Sequence, residues 1–253
     1  MNDLRMNSGD TNRTIWAVVP AAGVGKRMQS AIPKQYLPLN GRPVLEHTVN
    51  QLLANESIDG LVIALQQDDG YWEDIRIESV KPVIRAPGGK ERADSVLSAL
   101  DTLFRQRGFD ENTREEDKLW VMVHDAVRPC IRQEDIDKLA TEVGGDANGG
   151  LLALPVRDTM KRQKAGTDSF VSETVDRENL WHALTPQYFH AKSLKTALER
   201  ALEKKLAITD ESSAMEFAGF SPRLVSGHED NIKITRPADL RLASLYLSAR
   251  DDK

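Results

Sequence analysis

A glycine-rich segment with nearby cations is the strongest chemical signal in the sequence. The segment VVPAAGVGKRMQSAIPK, residues 18–34, carries Gly23 and Gly25, with Arg27 and Lys34 beyond them. Glycine has no side chain to keep a backbone N–H away from a ligand, so such a turn lets N–H groups approach a phosphate closely. Cations beside it suit transfer at a nucleotide phosphate, where charge builds on the nonbridging oxygens. An ordinary strand-to-helix turn is the alternative interpretation.

Two familiar nucleotide-binding motifs are excluded in this segment. A Walker A loop needs Gly five residues before Gly25 and Ser or Thr after Lys26, but the sequence has Pro20 and Arg27 there. A dinucleotide fingerprint would place its third glycine at Met28. The segment therefore predicts a short phosphate-binding loop of another kind.

Two further segments carry polar groups next to expected elements. LWVMVHDAVRP, residues 119–129, reads as a buried strand that ends in His124, Asp125 and Arg128. Ligands of α/β folds bind at the carboxyl ends of strands, so Asp125 is a candidate for Mg²⁺ or a ribose hydroxyl and Arg128 for a second phosphate. Capping of the next turn is the alternative for Asp125, and His124 is expected to be a hydrogen-bonded core residue. The segment PGGKERADSVL, residues 87–97, offers a glycine pair and a helix start suited to covering a base or phosphate.

Other polar candidates are too far apart in the sequence for spacing to join them. They are Thr159, Arg177, Thr185, Thr209 and Lys233. The five histidines show no metal-ligand spacing. The single cysteine, Cys130, does not lie in a sequence motif typical of a nucleophilic cysteine. Hydrolytic and thiol chemistries therefore have no support.

Alternating apolar runs and amphipathic segments must position these groups. Strands are predicted at 15–19, 60–65, 82–85, 119–123 and 150–155, and helices at 43–53, 91–104 and 191–202. This alternation predicts an α/β fold with a mostly parallel sheet. We expect a disordered leader at 1–13 and a single domain over 14–248.

One stretch breaks the alternation. Two polar, β-prone segments flank a Gly-Thr-Asp turn at 166–168, which predicts a protruding β-arm over about 155–177. A lone hairpin is marginal in water, so we expect the arm to pack on a second subunit. A solvated surface ribbon is the alternative.

The charge pattern narrows the class of ligand. The net charge of −5, from 34 basic and 39 acidic residues, disfavours a nucleic acid polymer as the partner. Residues 11–45 nevertheless contain no Asp or Glu and five cations, Arg13, Lys26, Arg27, Lys34 and Arg42. Such an island suits a small polyanion. The polar start, the lone cysteine and the lack of any run near ~18 apolar residues predict a cytoplasmic protein without a membrane span.

A series of motifs gives these pieces a family resemblance. In order they are PAAGVGKRM, PKQY, GGKERADSV, VHDAVRP, PVRDTMK, TVDR, LWHALTPQ, ITDES and DNIKITRP. They resemble the 2-C-methyl-D-erythritol 4-phosphate cytidylyltransferases of the non-mevalonate isoprenoid pathway, over about residues 16–247. Two departures are Lys90, where the family pattern is acidic, and Val127, where alanine is common.

The resemblance implies a Rossmann-like nucleotidyltransferase with a β-arm that interlocks a homodimer. It also implies the reaction, in which the phosphate of methylerythritol phosphate attacks the α-phosphorus of CTP and pyrophosphate leaves. Mg²⁺ would bind largely through CTP oxygens, with Asp125 as the candidate protein ligand.

The resemblance also implies roles for individual residues. Contacts to CTP fall to Ala21, Ala22, Gly23 and Gly25, with Gly89 and Ser95 near the cytosine. The transition state would be stabilised by Arg27 and Lys34, and the junction between the substrates lined by Asp125, Ala126 and Arg128. The second substrate's phosphate would be positioned by Arg177 and Lys233, aided by Thr159, Thr185 and Thr209. Of these, Thr159 and Arg177 would come from the partner's arm.

Two other functions stay open at this point. A cytidylyltransferase for another polyol phosphate, such as ribitol 5-phosphate, would share the nucleotide loop and differ in the second pocket. A non-catalytic nucleotide-binding dimer is the more distant alternative. Intact Arg27, Lys34 and Lys233 argue against it, because a binder has no need of cations placed for a transition state.

Overall fold

A seven-stranded sheet forms the centre of the molecule. The structure is a computed structural model that describes residues 13–23, 32–108, 118–166 and 169–251. The strands are β1 Thr14–Pro20, β2 Pro38–Leu39, β3 Arg42–Pro43, β4 Gly60–Leu65, β5 Val83–Pro87, β6 Leu119–Val123, β7 Gly150–Pro155, β8 Met160–Gln163, β9 Val171–Val175, β10 Trp181–His190 and β11 Arg223–Ser226. The helices are α1 Val44–Ala54, α2 Arg92–Arg107, α3 Gln133–Val143, α4 Ala191–Glu203, α5 Glu211–Phe217 and α6 Pro237–Asp251.

The sheet is mostly parallel, as predicted. Its strand order is β11-β7-β10-β6-β1-β4-β5. Strand β1 pairs in parallel with β4 and β6, β4 with β5, and β7 with β11, whereas β10 runs antiparallel to both of its neighbours. The chain extends the sheet from β1 to β4 and β5 on one side and then returns to add β6 on the other. Such a reversal opens a crevice at the carboxyl ends of the strands.

Helices cover both faces of the sheet because its central strands are apolar on both sides. In β1, Ile15, Ala17 and Val19 pack into one core with the buried faces of α1 and α3, while Trp16 and Val18 pack into another with α2, α4 and α5. Successive side chains of a strand point to opposite faces, so a continuous apolar run fills both layers. None of the described helices is long and apolar enough to cross a bilayer.

The element boundaries agree closely with the sequence-based expectations where the apolar signal is strong. Strands β4, β6 and β7 begin and end where predicted, and β1, α1 and α4 differ by a residue or so at their ends. Strand β5 and helix α2 end two and three residues later than predicted. The expected leader lies, apart from Arg13, outside the described residues.

The predicted β-arm is a hairpin of β8 and β9, which form their own two-stranded antiparallel sheet. Phe170 and Val171 are 68% and 60% exposed, and Met160 is also exposed. The described part of the hairpin therefore presents apolar side chains outward, while its expected role in dimerisation stays a prediction.

Candidate functional site

A cleft lies at the carboxyl ends of the central strands. It encloses about 240 Å³ between the ends of β1 and β6. Its lining includes nine of the predicted residues: Ala21, Ala22, Gly23, Lys34, Gly89, Ser95, Asp125, Ala126 and Lys233. A wider groove of about 1050 Å³ at the base of the arm is lined by none of them. The smaller cleft is therefore the candidate active site.

Two glutamine side chains hold the loop that follows β1. Gln35 Nε2 donates to the carbonyl of Ala21 over 2.7 Å, and Gln66 Nε2 donates to the carbonyl of Ala22 over 2.8 Å. The N–H of Ala21 is bonded to the carbonyl of Ala64 at the end of β4 (2.8 Å). With both carbonyls engaged, the orientation of this backbone is fixed before any ligand arrives. The predicted Gly25 and Arg27 lie outside the described residues.

A second loop, residues 88–91, touches the first one from the end of β5. The N–H of Gly89 donates to Ser95 Oγ (3.0 Å), and that hydroxyl donates to the carbonyl of Glu91 (3.2 Å). A Cβ on Gly88 would lie 2.1 Å from the Cβ of Ala22, so only glycine fits at this crossing. Buried Ser95 therefore shapes the loop from below, where helix α2 begins.

Asp125 lies in the lining of the cleft, just beyond the end of β6, and contacts three cations. Its Oδ1 accepts from Arg92 Nε at 3.0 Å, and its Oδ2 lies 2.9 Å from Lys233 Nζ and 3.3 Å from Arg128 Nε. Burial by itself would raise the pKa of the carboxyl. Arg92, Lys233 and Arg128 more than offset burial and hold that pKa well below its usual range. Asp125 is therefore ionised, and it keeps the cations around it in place.

His124 is a satisfied core residue, as the sequence suggests. Burial lowers its pKa to about 4. Its Nε2–H donates to the carbonyl of Arg128 (3.1 Å), which assigns Nδ1 as the acceptor of the Thr185 hydroxyl proton (3.0 Å). Thr185 Oγ1 in turn accepts the N–H of Asp125 (3.1 Å). The neutral imidazole thus orients Thr185 beneath Asp125.

Residues 231–234, which include Lys233, are distant in sequence from the other residues of the cleft but are bonded to them. Arg128 Nη1 donates to the carbonyl of Asn231 (2.7 Å), and Asn231 Nδ2 donates to the carbonyl of Thr185 (2.8 Å). Lys34 Nζ is 3.5 Å from the carbonyl of Ile234. These contacts place Lys34 and Lys233 on the same side of the cleft although 199 residues separate them in the sequence.

Five of the described site candidates are absent from the lining of the cleft. Two of them, Arg128 and Thr185, are buried behind Asp125 and bonded to it, so they support the cleft without lining it.

The other three candidates lie on the arm or just before α5. Thr159 and Arg177 belong to the exposed arm, where the guanidinium of Arg177 bonds to the backbone of Arg157. Exposed Thr209 precedes Asp210, the N-cap of α5. Within a single subunit, the described structure therefore leaves Thr209 and the two arm residues outside the lining of the cleft.

Sequence reasoning missed four residues that shape the site. They are Gln35, Gln66, Arg92 and Glu211. Three of them fall in segments that were singled out, because Gln35 belongs to PKQY, Arg92 to GGKERADSV and Glu211 to ITDES. Glu211 follows an N-capping Asp in ITDES, which signals a helix start and gives no sign of a partner 119 residues away.

Known proteins resemble this chain over most of its length. The family model for 2-C-methyl-D-erythritol 4-phosphate cytidylyltransferase (IspD) matches residues 15–249. The protein of that name from Aliivibrio fischeri (strain MJ11) is 52% identical over 237 residues, which are 94% of this chain and 95% of the relative.

Solved structures show the same similarity. A crystal structure of a 4-diphosphocytidyl-2C-methyl-D-erythritol synthase aligns with a TM-score of 0.77 at 34% identity, covering 93% of this chain and 99% of that one. The Francisella tularensis 2-C-methyl-D-erythritol 4-phosphate cytidylyltransferase aligns with a TM-score of 0.75 at 31% identity, covering 92% and 99%. The chain thus belongs to the 2-C-methyl-D-erythritol 4-phosphate cytidylyltransferase family.

Proposed function

We propose that this protein transfers the cytidylyl group of CTP to 2-C-methyl-D-erythritol 4-phosphate. An oxygen of the substrate's phosphate forms a bond to the α-phosphorus of CTP, and the bond from that phosphorus to the bridging oxygen of pyrophosphate breaks. The products are 4-diphosphocytidyl-2-C-methyl-D-erythritol and pyrophosphate. One observation carries the proposal: the fixed backbone of Ala21 and Ala22 lines one cleft together with Lys34, Lys233 and Asp125, and Lys233 contacts Asp125.

The nucleotide is assigned to the two loops that meet at Gly88. The backbone of Ala21, Ala22, Gly23 and Gly25 would hold the triphosphate, and Gly89 and Ser95 would face the cytosine. Support comes from the lining of the cleft and from the glutamine contacts that fix the first loop. Because the backbone at Ala21 and Ala22 is ordered in advance, this part of the loop loses little conformational entropy when the ligand binds.

Lys34 and Arg27 are assigned to stabilisation of the transition state. Phosphoryl transfer concentrates negative charge on the nonbridging oxygens, so placed cations lower the barrier. A phosphate monoester is already nucleophilic, and positioning with cationic stabilisation then supplies most of the catalysis. Lys34 lines the cleft, which supports its part of this assignment.

The second substrate is assigned to the side of the cleft around Arg128, Thr185 and Lys233, with Thr209 nearby. Arg177 and Thr159 of the partner subunit would complete it, and we propose a homodimer held through the β-arm. The exposed apolar side chains of the hairpin support a covering partner. The cytoplasmic location stays a prediction from the sequence.

Mg²⁺ is proposed as the metal cofactor, held mainly by the triphosphate of CTP with Asp125 as its protein ligand. Among the described residues, no three His, Cys, Asp or Glu side chains come together as a metal site. Mg²⁺ commonly uses one or two carboxylates plus substrate phosphates, so a single carboxylate at the junction fits it. When bound, the ion would neutralise charge on the phosphates.

A pyrophosphate-release assay tests the proposal. The purified protein is given CTP and Mg²⁺ with either methylerythritol phosphate or ribitol 5-phosphate, and pyrophosphate is measured over time. We expect turnover with methylerythritol phosphate. Faster turnover of ribitol 5-phosphate would overturn the substrate assignment, and no release with either would favour a nucleotide-binding protein without catalysis.

A further inference from the structure

Glu211, a buried carboxylate that is not among the predicted site residues, is connected to Asp125 in the cleft. Glu211, the first residue of α5, is 1% exposed. Its two oxygens accept from Arg92 Nη1 at 2.5 Å and from Arg92 Nη2 at 3.0 Å. This bidentate contact uses one edge of the guanidinium and leaves Nε to face Asp125 Oδ1, 3.0 Å away. Glu211, Arg92 and Asp125 thus form one continuous ion-pair network, in which both carboxylates are buried and Arg92 is partly exposed.

These three residues connect helix α2 with helix α5. Arg92 begins α2, directly after the loop assigned to the nucleotide, whereas Glu211 begins α5 and follows Thr209, a residue assigned to the second substrate. Helix α5 is itself anchored to β10, because Gln187 Nε2 donates to Asp210 Oδ2 (2.9 Å) and Gln187 Oε1 accepts the N–H of Ser212 (2.8 Å). Arg92 lines the cleft and contacts Asp125, so α5 is connected to Asp125 through Arg92.

Stability is a poor explanation for this arrangement. Burial raises the pKa of Glu211 even with Arg92 beside it. Removing a carboxylate from water is costly, and apolar replacements of buried ion pairs are often as stable or more so. Other side chains of α5, such as Ala214 and Met215, belong to the apolar core, so an apolar side chain at position 211 could pack there as well.

We propose that Glu211 is a positioning residue for cytidylyl transfer, which orients the Asp125 carboxylate through Arg92. The inference rests on the proposed function. Without the Glu211 carboxylate, Arg92 is free to turn its Nη groups toward Asp125. Asp125 Oδ2 also contacts Lys233 and Arg128, so such a turn disturbs the cations around the reacting phosphates. The effect falls mainly on kcat, because the direct contacts assigned to CTP lie on the two loops.

Steady-state kinetics on Glu211→Gln provides the test. We expect kcat to fall roughly 10- to 100-fold, which is the range seen when groups that orient metal-ligating side chains are removed. The KM for CTP should stay within about threefold of wild type. Glu216→Gln is the matched control, since it makes the same change in the same helix at an exposed residue bonded to Ser212 Oγ. Its kcat should equal that of wild type.

A double-mutant cycle separates positioning from a structural contribution. If Glu211 acts through Arg92, then Glu211→Gln has little further effect on kcat once Arg92→Ala is present, and the two losses are strongly non-additive. Losses that multiply, or a Glu211→Gln kcat within twofold of Glu216→Gln, would overturn the inference while leaving the proposed function intact. A wild-type protein that releases no pyrophosphate from CTP would overturn both.

A second variant serves if Glu211→Gln does not fold. Arg92→Met combined with Glu211→Met removes both charges and fills the space with apolar side chains. We expect this variant to fold, as judged by urea unfolding, and to show at least the kcat loss expected of Glu211→Gln. A folded double variant with wild-type kcat would overturn the inference.

Discussion

Gly88 is where one added methyl group tests the placement of the nucleotide loop. A Cβ built there would lie 2.1 Å from the Ala22 Cβ and 3.0 Å from the carbonyl oxygen of Leu65. The N–H of Gly88 donates to that same oxygen over 2.6 Å, which holds the Gly88 backbone against the end of β4. In Gly88→Ala, the strain therefore falls on Ala22 and on the loop assigned to the triphosphate.

The size of the effect follows from the overlap. Ordinary contacts of a Cβ begin near 3.4 Å, so the two Cβ atoms must separate by about 1.3 Å, the difference between 3.4 and 2.1 Å. A misplacement of about 1 Å costs on the order of 100-fold in rate. We therefore expect kcat/KM for CTP to fall roughly 100-fold, about 2.7 kcal/mol of transition-state stabilisation. Overpacking should also lower the free energy of unfolding by about 1–3 kcal/mol.

The assay is pyrophosphate release at varied CTP, with urea unfolding measured on the same samples. Gly70→Ala is the control, because a Cβ at Gly70 would meet no atom within 4 Å. Adding Ala22→Gly to Gly88→Ala removes the shorter contact and should restore most of the lost kcat/KM. If Gly88→Ala stays within threefold of wild type, or the second change restores nothing, the two loops do not meet as described.

Three further predictions concern Lys34, His124 and Arg177. Lys34→Ala should lower kcat by roughly 100- to 1000-fold and the affinity for CTP far less, because its contact strengthens in the transition state; single-turnover kinetics and equilibrium binding measure the two, and an unchanged kcat with a raised KM would refute this role. His124 has its pKa lowered from 6.5 to about 4 by burial, so it stays neutral in the native protein while the unfolded chain takes up a proton. As pH falls from 6.5 to 4, wild type should therefore lose about 3 kcal/mol more unfolding free energy than His124→Gln, as urea titrations at both pH values will show; equal losses would contradict the assignment. Arg177→Ala should raise KM for methylerythritol phosphate at least about tenfold with little change for CTP, since it removes a charged hydrogen-bond donor. Mixed dimers of Arg177→Ala and Lys34→Ala should regain activity in one of their two sites, and no recovery would argue against a shared site.

The sequence predicted best those strands and helices that a local apolar pattern determines. Continuous apolar runs defined β4, β6 and β7 to the residue, because strands buried on both faces are apolar throughout. Strand β10 was not predicted, since exposed His182 and Ala183 and then Pro186 interrupt its apolar pattern. Helix α5 has seven residues, too few for a clear periodicity, and α3, α6 and β11 were also missed.

The site residues also divide into those that directly follow a strand in the sequence and those that tertiary packing brings to the cleft. Asp125 follows β6 directly, so the rule that ligands bind at strand ends was enough to nominate it. Ala21 follows β1 but was nominated by the family resemblance. Lys233 reaches the cleft, and Glu211 reaches Arg92 beside it, through the packing of the segment before α6 and of α5, which no spacing in the sequence encodes. Their placement depends on tertiary contacts with Asp125 and Arg92.

The glutamine contacts of the first loop have a consequence for how binding responds to the solution. Gln35 and Gln66 hold the carbonyls of Ala21 and Ala22 with uncharged amides, which neither titrate nor attract counterions. The attraction between a triphosphate and lysine side chains is screened by salt, whereas amide–carbonyl contacts are nearly indifferent to it. Ionic strength therefore changes how strongly the cleft draws in its nucleotide without altering the shape that receives it, and a salt titration of CTP binding reports on the charges alone.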